Sequence, residues 1–319
     1  MKILVAPLNW GLGHASRCVP LVQRLLDEGN EVILGGDGES LTLLRRHFPK
    51  LRYTYLAPLN LRYSKGTRQV WAMLRALPKL IRWSMKDHLM LKALLNEEPI
   101  DRVISDNRFG LYSKKTECIY ITHQLHIMLP RGWRWAERIA SRMHARIYTR
   151  FNKVWVPDSE DKQNNLSGEL GHSISNFEFQ ISNLEYIGPL SRFQNMPNNP
   201  STPNYSVVAV LSGLEPHRTL LEQEIIALYT GKEEQVLIVQ GLMHRPNTRI
   251  KRGNITIVPS MPDSELAAAL LGAKHIIARS GYSTIMDLSA LGILDKAELI
   301  PTPGQPEQEY LATLHSKMQ

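Results

Sequence analysis

The chain predicts an α/β protein built from two doubly wound, Rossmann-like domains that face a cleft, and three observations carry that expectation. Apolar strands alternate with helical stretches through the first half, the pattern of a parallel sheet with crossover helices. A tract rich in Pro, Asn and Ser, without periodicity, interrupts the pattern at 193–206, and beyond it the alternation restarts. Glycine-bearing turns follow the apolar strands in both halves, and ligands in such sheets sit beyond the carboxyl ends of the strands. With 319 residues the chain exceeds what one core supports, so units of about 150 residues are expected. They are placed at 1–192 and 207–319, joined by a linker at 193–206.

The elements follow in order. KILVAPL opens the first sheet, a helix is expected over 19–27, and EVILGGD is the second strand. RVIS at 102–105, CIYIT at 118–122 and KVWV at 153–156 supply further short apolar runs of strand length. After the linker come VVAVLSG (207–213), a helix near 218–229, QVLIVQG (235–241), ITIVPS (255–260) and a helix over 264–271. HIIARSG (275–281), a helix from Ser283 and ELIPTPG (298–304) complete the second unit.

The formal net charge of +8 divides unevenly along the chain. Residues 1–153 hold 26 Lys and Arg against 12 Asp and Glu, a balance of +14, while the remainder holds 12 against 18, a balance of −6. The first half is therefore expected to face an anionic partner or surface. Between Glu39 and Asp87 there is no acidic residue, yet Arg45, Arg46, Lys50, Arg52, Arg62, Lys65, Arg68, Arg75, Lys79, Arg82 and Lys86 lie there. They are interleaved with Trp71, Leu74, Ile81 and Trp83. A second stretch repeats Arg134, Arg138, Arg142, Arg146 and Arg150 every four residues beside Trp135, Ile139, Met143, Ile147 and Phe151. Cationic stripes bordering apolar ones describe helices lying at an anionic membrane surface, so segments 45–86 and 134–150 are candidates for it. An ordinary helix packed on a sheet with solvated arginines has the same pattern.

Cys18 and Cys118 lack metal-ligand spacing and form no disulfide framework, which fits a reducing cytoplasm. The first apolar stretch is broken at Pro7 and Asn9, so no signal peptide is expected, and no run of about 18 apolar residues is present to span a bilayer. The expected location is cytoplasmic, peripheral at the inner membrane face.

Two constellations carry chemistry. The first strand runs into Gly11-Leu12-Gly13-His14-Ala15-Ser16, where glycines let backbone amides approach a ligand. A dinucleotide fingerprint would need a glycine where Ser16 stands, although Asp37 after the second strand has the place of a ribose-binding acid. The second constellation is Arg279-Ser280-Gly281-Tyr282-Ser283-Thr284-Ile285-Met286-Asp287. A Ser/Gly turn entering a helix offers unpaired N–H groups and a positive dipole end to a phosphate, and Asp287 has a carboxylate suited to both hydroxyls of a ribose. Further on, Pro303-Gly304-Gln305-Pro306-Glu307-Gln308-Glu309 supplies donors and acceptors for sugar hydroxyls.

RSGYSTIMDLSALG followed by LIPTPGQPEQEY resembles the donor-site signature of GT-B glycosyltransferases of the family 28 type, which includes the peptidoglycan lipid-intermediate N-acetylglucosaminyltransferase. WGLGHAS is similar to that group's glycine-rich loop, and LSGLEPHR (211–218) stands in the place of its second phosphate-facing loop. The resemblance implies that Asp287 holds the ribose and that Gln308, with Glu309, reads the donor sugar. It places Gly13, Ser212, Gly213, Arg279, Ser280 and Gly281 near the diphosphate, Val258 near the base, and His14 across the cleft. The chain departs from the family's form in having fewer glycines in the first loop, Asp287 in place of Glu and Glu309 in place of a second Gln. GT-B proteins normally continue past this point and cross back onto the first domain, so the closing element is expected to be missing or the chain to be a fragment.

The expected activity is inverting, metal-independent glycosyl transfer from a UDP-linked sugar to a lipid-linked or membrane-proximal acceptor. The nucleotide-sugar is a substrate, so no cofactor is expected. Metal independence agrees with the lack of an Asp-x-Asp site and of a His/Cys cluster at ligand spacing. His14 is the favoured base, since an unperturbed imidazole titrates near pH ~6.5. Asp106, after an apolar strand, is its rival, and His123 and His126 in ITHQLHI are acceptor-side candidates. A nucleotide-sugar hydrolase or epimerase of the same fold is the alternative. A basic nucleic-acid-binding module is the third reading, but the aromatic residues form no recognised nucleic-acid motif, so no such partner is expected.

Overall fold

A computed structural model describes residues 1–59, 69–172, 183–194, 196, 205–213, 215–246 and 248–316, with the side chains of 69–74 excepted. The first unit is a seven-stranded sheet ordered β3-β2-β1-β4-β5-β6-β7. Its strands are β1 (Lys2–Pro7), β2 (Glu31–Gly36), β3 (Arg52–Tyr55), β4 (Arg102–Asp106), β5 (Glu117–Ile121), β6 (Lys153–Val156) and β7 (Leu184–Tyr186), all paired in parallel. The central runs ILVA, VILG and VIS are buried, as strands covered by helices on both faces must be. Helices α1 (Gly13–Asp27) and α2 (Gly38–His47) pack on one face, while α3 (Gln69–Glu97) and α4 (Glu137–Tyr148) pack on the other.

The second unit has six strands ordered β10-β11-β9-β8-β12-β13. These are β8 (Val207–Val210), β9 (Val236–Val239), β10 (Ile250–Arg252), β11 (Ile255–Val258), β12 (His275–Arg279) and β13 (Ala297–Ile300), with β10 alone antiparallel. Helices α5 (His217–Tyr229), α6 (Asp263–Gly272), α7 (Tyr282–Ala290) and α8 (Pro306–Ser316) complete it. In each sheet the strand order reverses at one point, between β1 and β4 and between β8 and β12. Crevices for ligands open at such switch points.

One expectation needs correction, and two contacts join the units. Helix α1 begins at Gly13, not residue 19, and carries Pro20 inside it. Most of the linker, residues 195 and 197–204, lies outside the described residues, but Phe193 and Met196 pack into the core of the second unit. That unit therefore starts to gather its core before residue 207. Helix α8 also reaches the first unit: Tyr310 Oη accepts from the Glu169 backbone N–H at 2.8 Å, and Leu311 packs with Leu170.

The basic segments divide in the same way. Arg46 crosses to the second unit, where it donates to Ser260 Oγ and to the Met243 carbonyl. Arg45 stacks on Tyr53 and Arg52 pairs with Glu98, so none of these three forms a free cationic stripe. Arg62, Lys65, Arg68 and the side chains of Trp71 and Leu74 lie outside the described residues. Trp83, expected at a surface, is 4% exposed and donates through Nε1 to the Ala57 carbonyl at 2.7 Å. Trp83→Phe is therefore expected to cost about 1 kcal/mol of stability, read from the urea midpoint, and to leave surface binding unchanged.

What remains exposed is sharper than the sequence pattern. Leu77, Ile81, Met85 and Leu89 form a four-residue-spaced apolar row on α3, beside the exposed Arg75, Lys79, Arg82 and Lys86. Trp135, Ile139 and Met143 form a second row that begins just before α4 and continues along it, beside the exposed Arg134, Arg138, Arg142 and Arg146. Both rows lie on the outer side of the layer covering one sheet face, with Phe109 between the helices, 6.0 Å from Trp83 and 6.1 Å from His144.

Helix α3 is seated by a buried charge cluster. Arg108 donates to both oxygens of Asp87 at 2.9 Å, to Asp37 at 2.9 Å and to the Ala57 carbonyl at 2.7 Å. Gly110 lets the chain pass under the helix: a Cβ there would stand 2.0 Å from the Ser84 carbonyl oxygen and 2.8 Å from the Asp87 Cβ.

Candidate active site

The switch point of the first sheet brings His14 and Asp106 together. Asp106 ends β4 opposite Pro7 of β1, and the turn through Gly11, at φ +79°, returns the chain into α1 above that strand end. His14 Nδ1 lies 2.8 Å from Asp106 Oδ1, and His14 is 17% exposed while Asp106 is 1% exposed. His14 Nε2 makes no hydrogen bond among the described residues. Arg17, one turn later on the same helix face, donates through Nε to Asp106 Oδ2 at 2.6 Å and through its terminal nitrogen to Oδ1.

The charges are matched to this packing. Burial alone would raise the Asp106 carboxyl, but the Arg17 charge, and next to it His14, hold it well below the usual carboxylate range. Burial lowers His14, and the attraction of Asp106 is too weak, against Arg17, to reverse it. The imidazole is therefore neutral near pH 7 with an open Nε2, the state a general base requires.

The second sheet meets this point from across the cleft. Ser283 Oγ on α7 donates to the Gly13 carbonyl at 2.9 Å, and a Cβ on Gly11 would lie 3.7 Å from the Gly213 backbone. The N-termini of α1 and α7 thus face one another. Gly213 has φ +91° and open space where a Cβ would stand, and at Gly281 the nearest neighbour of such an atom is 4.0 Å away. Ser212 is half-buried beside Gly213. Arg279 is buried and donates to the carbonyls of Pro301 and His217, while its Nε has no partner among the described residues.

Several candidates are engaged otherwise. Asp287 accepts from Ser191 Oγ at 2.7 Å and from Arg192 Nε at 3.2 Å, so the end of the first unit already holds one donor on each carboxylate oxygen. Ser280 Oγ is bound to the Gln308 carbonyl, and Gln308 caps its own turn through Thr302 N–H and Gln305. Val258 is a core residue, 3% exposed. Glu309 is exposed on α8, and it is Glu307 that faces the cleft, with Oε1 2.7 Å from His123 Nε2. His123 also stacks on Tyr282, ring centroids 4.4 Å apart, whereas His126 lies 3.5 Å from Glu137 and leaves Nδ1 unpartnered among the described residues. Asp37 is held by Arg108 and Asn9, which removes the acid that a dinucleotide site would use.

Arg17, Tyr282, Ser283 and Glu307 were not singled out as site residues by sequence reasoning. Their signals were present: a helix started at Gly13 puts His14 and Arg17 three residues apart on one face, and Pro306 at the first position of α8 makes Glu307 part of that helix.

Comparison with solved structures identifies the architecture as GT-B. CalG4, the calicheamicin glycosyltransferase, aligns over 99% of this chain and 88% of its own at 11% identity, TM-score 0.59. The spinosyn rhamnosyltransferase SpnG complexed with thymidine diphosphate aligns over 100% and 84% at 14% identity, TM-score 0.57. Arabidopsis thaliana UGT89C1 complexed with UDP-L-rhamnose aligns over 99% and 90% at 13% identity, TM-score 0.57. No protein-family model matches the chain, and no curated protein matches its sequence. These likenesses carry the two-domain GT-B fold and lend no support to the family 28 type in particular. Among the described residues no helix is long and apolar enough to cross a membrane.

Proposed function

We propose that the chain is an inverting glycosyltransferase that moves a sugar from a nucleoside diphosphate to a hydroxyl of an acceptor held at an anionic membrane surface. The observation that carries the reading is the His14–Asp106 pair, set at one switch point and facing the N-terminus of α7 at the other. The acceptor oxygen attacks C1 of the sugar as His14 Nε2 takes its proton. The C1–O bond to the diphosphate breaks, and its electron pair leaves with the nucleotide. Helix N-termini oppose the charge that develops there, which needs no metal. The names of the aligned proteins support a UDP- or thymidine diphosphate-linked donor, and the motif likeness favours UDP. The two exposed apolar rows with their arginines favour a membrane-proximal acceptor.

Calorimetry with UDP, thymidine diphosphate and NAD in buffer containing EDTA tests the donor. UDP is expected to bind in the micromolar range, at about −8 kcal/mol, with no loss on chelation. NAD binding in the absence of any response to UDP or thymidine diphosphate would overturn the reading.

A further inference from the structure

Arg17 is 1% exposed and contacts three side chains of the cleft. It holds both oxygens of Asp106, its NH2 nitrogen stands 2.9 Å from His14 Nδ1, and its NH1 nitrogen stands 3.1 Å from His123 Nδ1. A guanidinium only donates. His123 Nδ1 must therefore present its lone pair to Arg17, which places the ring proton on Nε2, where it donates to Glu307 of the opposite unit. Protonation of His123 would set an N–H against an N–H.

His14 is held differently, because the Arg17 NH2 nitrogen near its Nδ1 already donates to Asp106 Oδ1 and meets the ring as a charge, not as a hydrogen-bond donor. Its Nδ1 is 2.8 Å from the ionised Asp106 and close to the Arg17 cation. The carboxylate favours the N–H on Nδ1, the tautomer that leaves Nε2 basic. The cation opposes a second ring proton.

We propose that Arg17 is a positioning residue that aligns Asp106 with His14 and fixes His123 as the N–H donor gripping Glu307 across the cleft. The role rests on His14 being the base. It joins the orientation of the base to the approach of the second unit, because one guanidinium touches the partners of both.

The groups facing His14 and Arg17 are Asp106 from β4, Cys18 from α1, His123 from the loop after β5, Tyr282 from α7 and Glu307 from α8. Removing the Arg17 charge leaves Asp106 uncompensated beside His14. The imidazolium is then favoured, so His14 gains its proton at higher pH.

Two-bond proton–nitrogen NMR of the histidine rings, on the full chain, tests this without depending on turnover. In the wild type His123 is expected to carry its ring hydrogen on Nε2 and none on Nδ1. In Arg17→Gln the His14 titration is expected to move up by about one to three pH units, with the acid limb of kcat/KM moving alongside it. In Arg17→Lys the charge persists without the fork, so the His14 titration stays near the wild type while His123 loses its fixed tautomer. A wild-type His123 carrying hydrogen on Nδ1, or an unmoved His14 titration in a folded Arg17→Gln, would overturn the proposal. Should Arg17→Gln fail to fold, the wild-type tautomer and Arg17→Lys decide. Loss of nucleotide binding and transfer in the wild type, with these NMR results intact, would instead remove the glycosyl-transfer reading alone.

Discussion

His14→Ala is expected to lower turnover by about two to four orders of magnitude, the usual contribution of a positioned general base, while leaving nucleotide affinity nearly unchanged. The split follows from geometry. His14 Nε2 has no hydrogen bond among the described residues, whereas the surfaces proposed to face the diphosphate are backbone at Gly13, Gly213 and Gly281 and the first turn of α7. Because burial lowers the imidazole, with Asp106 only partly offsetting it, the acid limb of kcat/KM should fall below the ordinary histidine value of ~6.5. Below that limb His14 holds a proton and cannot accept another. Single-turnover kinetics with calorimetry on the same variant checks both halves. If Asp106→Asn abolishes turnover and His14→Ala is mild, the carboxylate is the base and the roles exchange.

Replacing Arg75, Lys79, Arg82 and Lys86 together by Gln is expected to weaken binding to anionic vesicles about a thousandfold at low salt. Each basic residue near such a surface contributes about 1 kcal/mol, and four together about 4 kcal/mol. Wild-type binding should weaken as salt rises, since the Debye length shrinks from ~10 Å at 0.1 M to ~3 Å at 1 M. The residual binding at high salt should depend on Ile81, Met85 and Leu89, whose burial in the interface is not screened. Trp83 should play no part, being held inside by Ala57. Cosedimentation with neutral and anionic vesicles reads all of this. Tight, salt-sensitive binding to arbitrary nucleic acid with no preference for anionic lipid would replace the membrane by a polynucleotide.

The fold was legible because parallel strands buried on both faces are written as uninterrupted apolar runs, and RVIS, CIYIT and HIIAR leave little choice. Short edge strands were not: RYTY and LEY carry half-exposed residues without an apolar run. In the candidate site, His14 and Asp106 stood out because the one follows the first strand, the other ends β4, and both have the residue type for proton transfer. Arg17 was hidden because the helix was expected only from residue 19, which left the face that Arg17 shares with His14 outside it. Asp287 shows what a motif leaves out. Its motif is plain, but only the fold shows Ser191 and Arg192, almost a hundred residues earlier, closing on the same carboxylate.

Gly110 sets a limit of another kind. Its backbone has no positive φ, so conformational freedom is not what reserves the position for glycine. Alanine alone would drive a methyl group into the Ser84 carbonyl, and α3 would have to lift from the sheet to admit it. Lifting the helix would stretch the Asp87–Arg108 contacts and tilt the apolar row on its outer side. The position is therefore closed to the other nineteen amino acids for a reason of shape. Any lineage that keeps this helix seated must carry a hydrogen atom where all its other options begin with carbon.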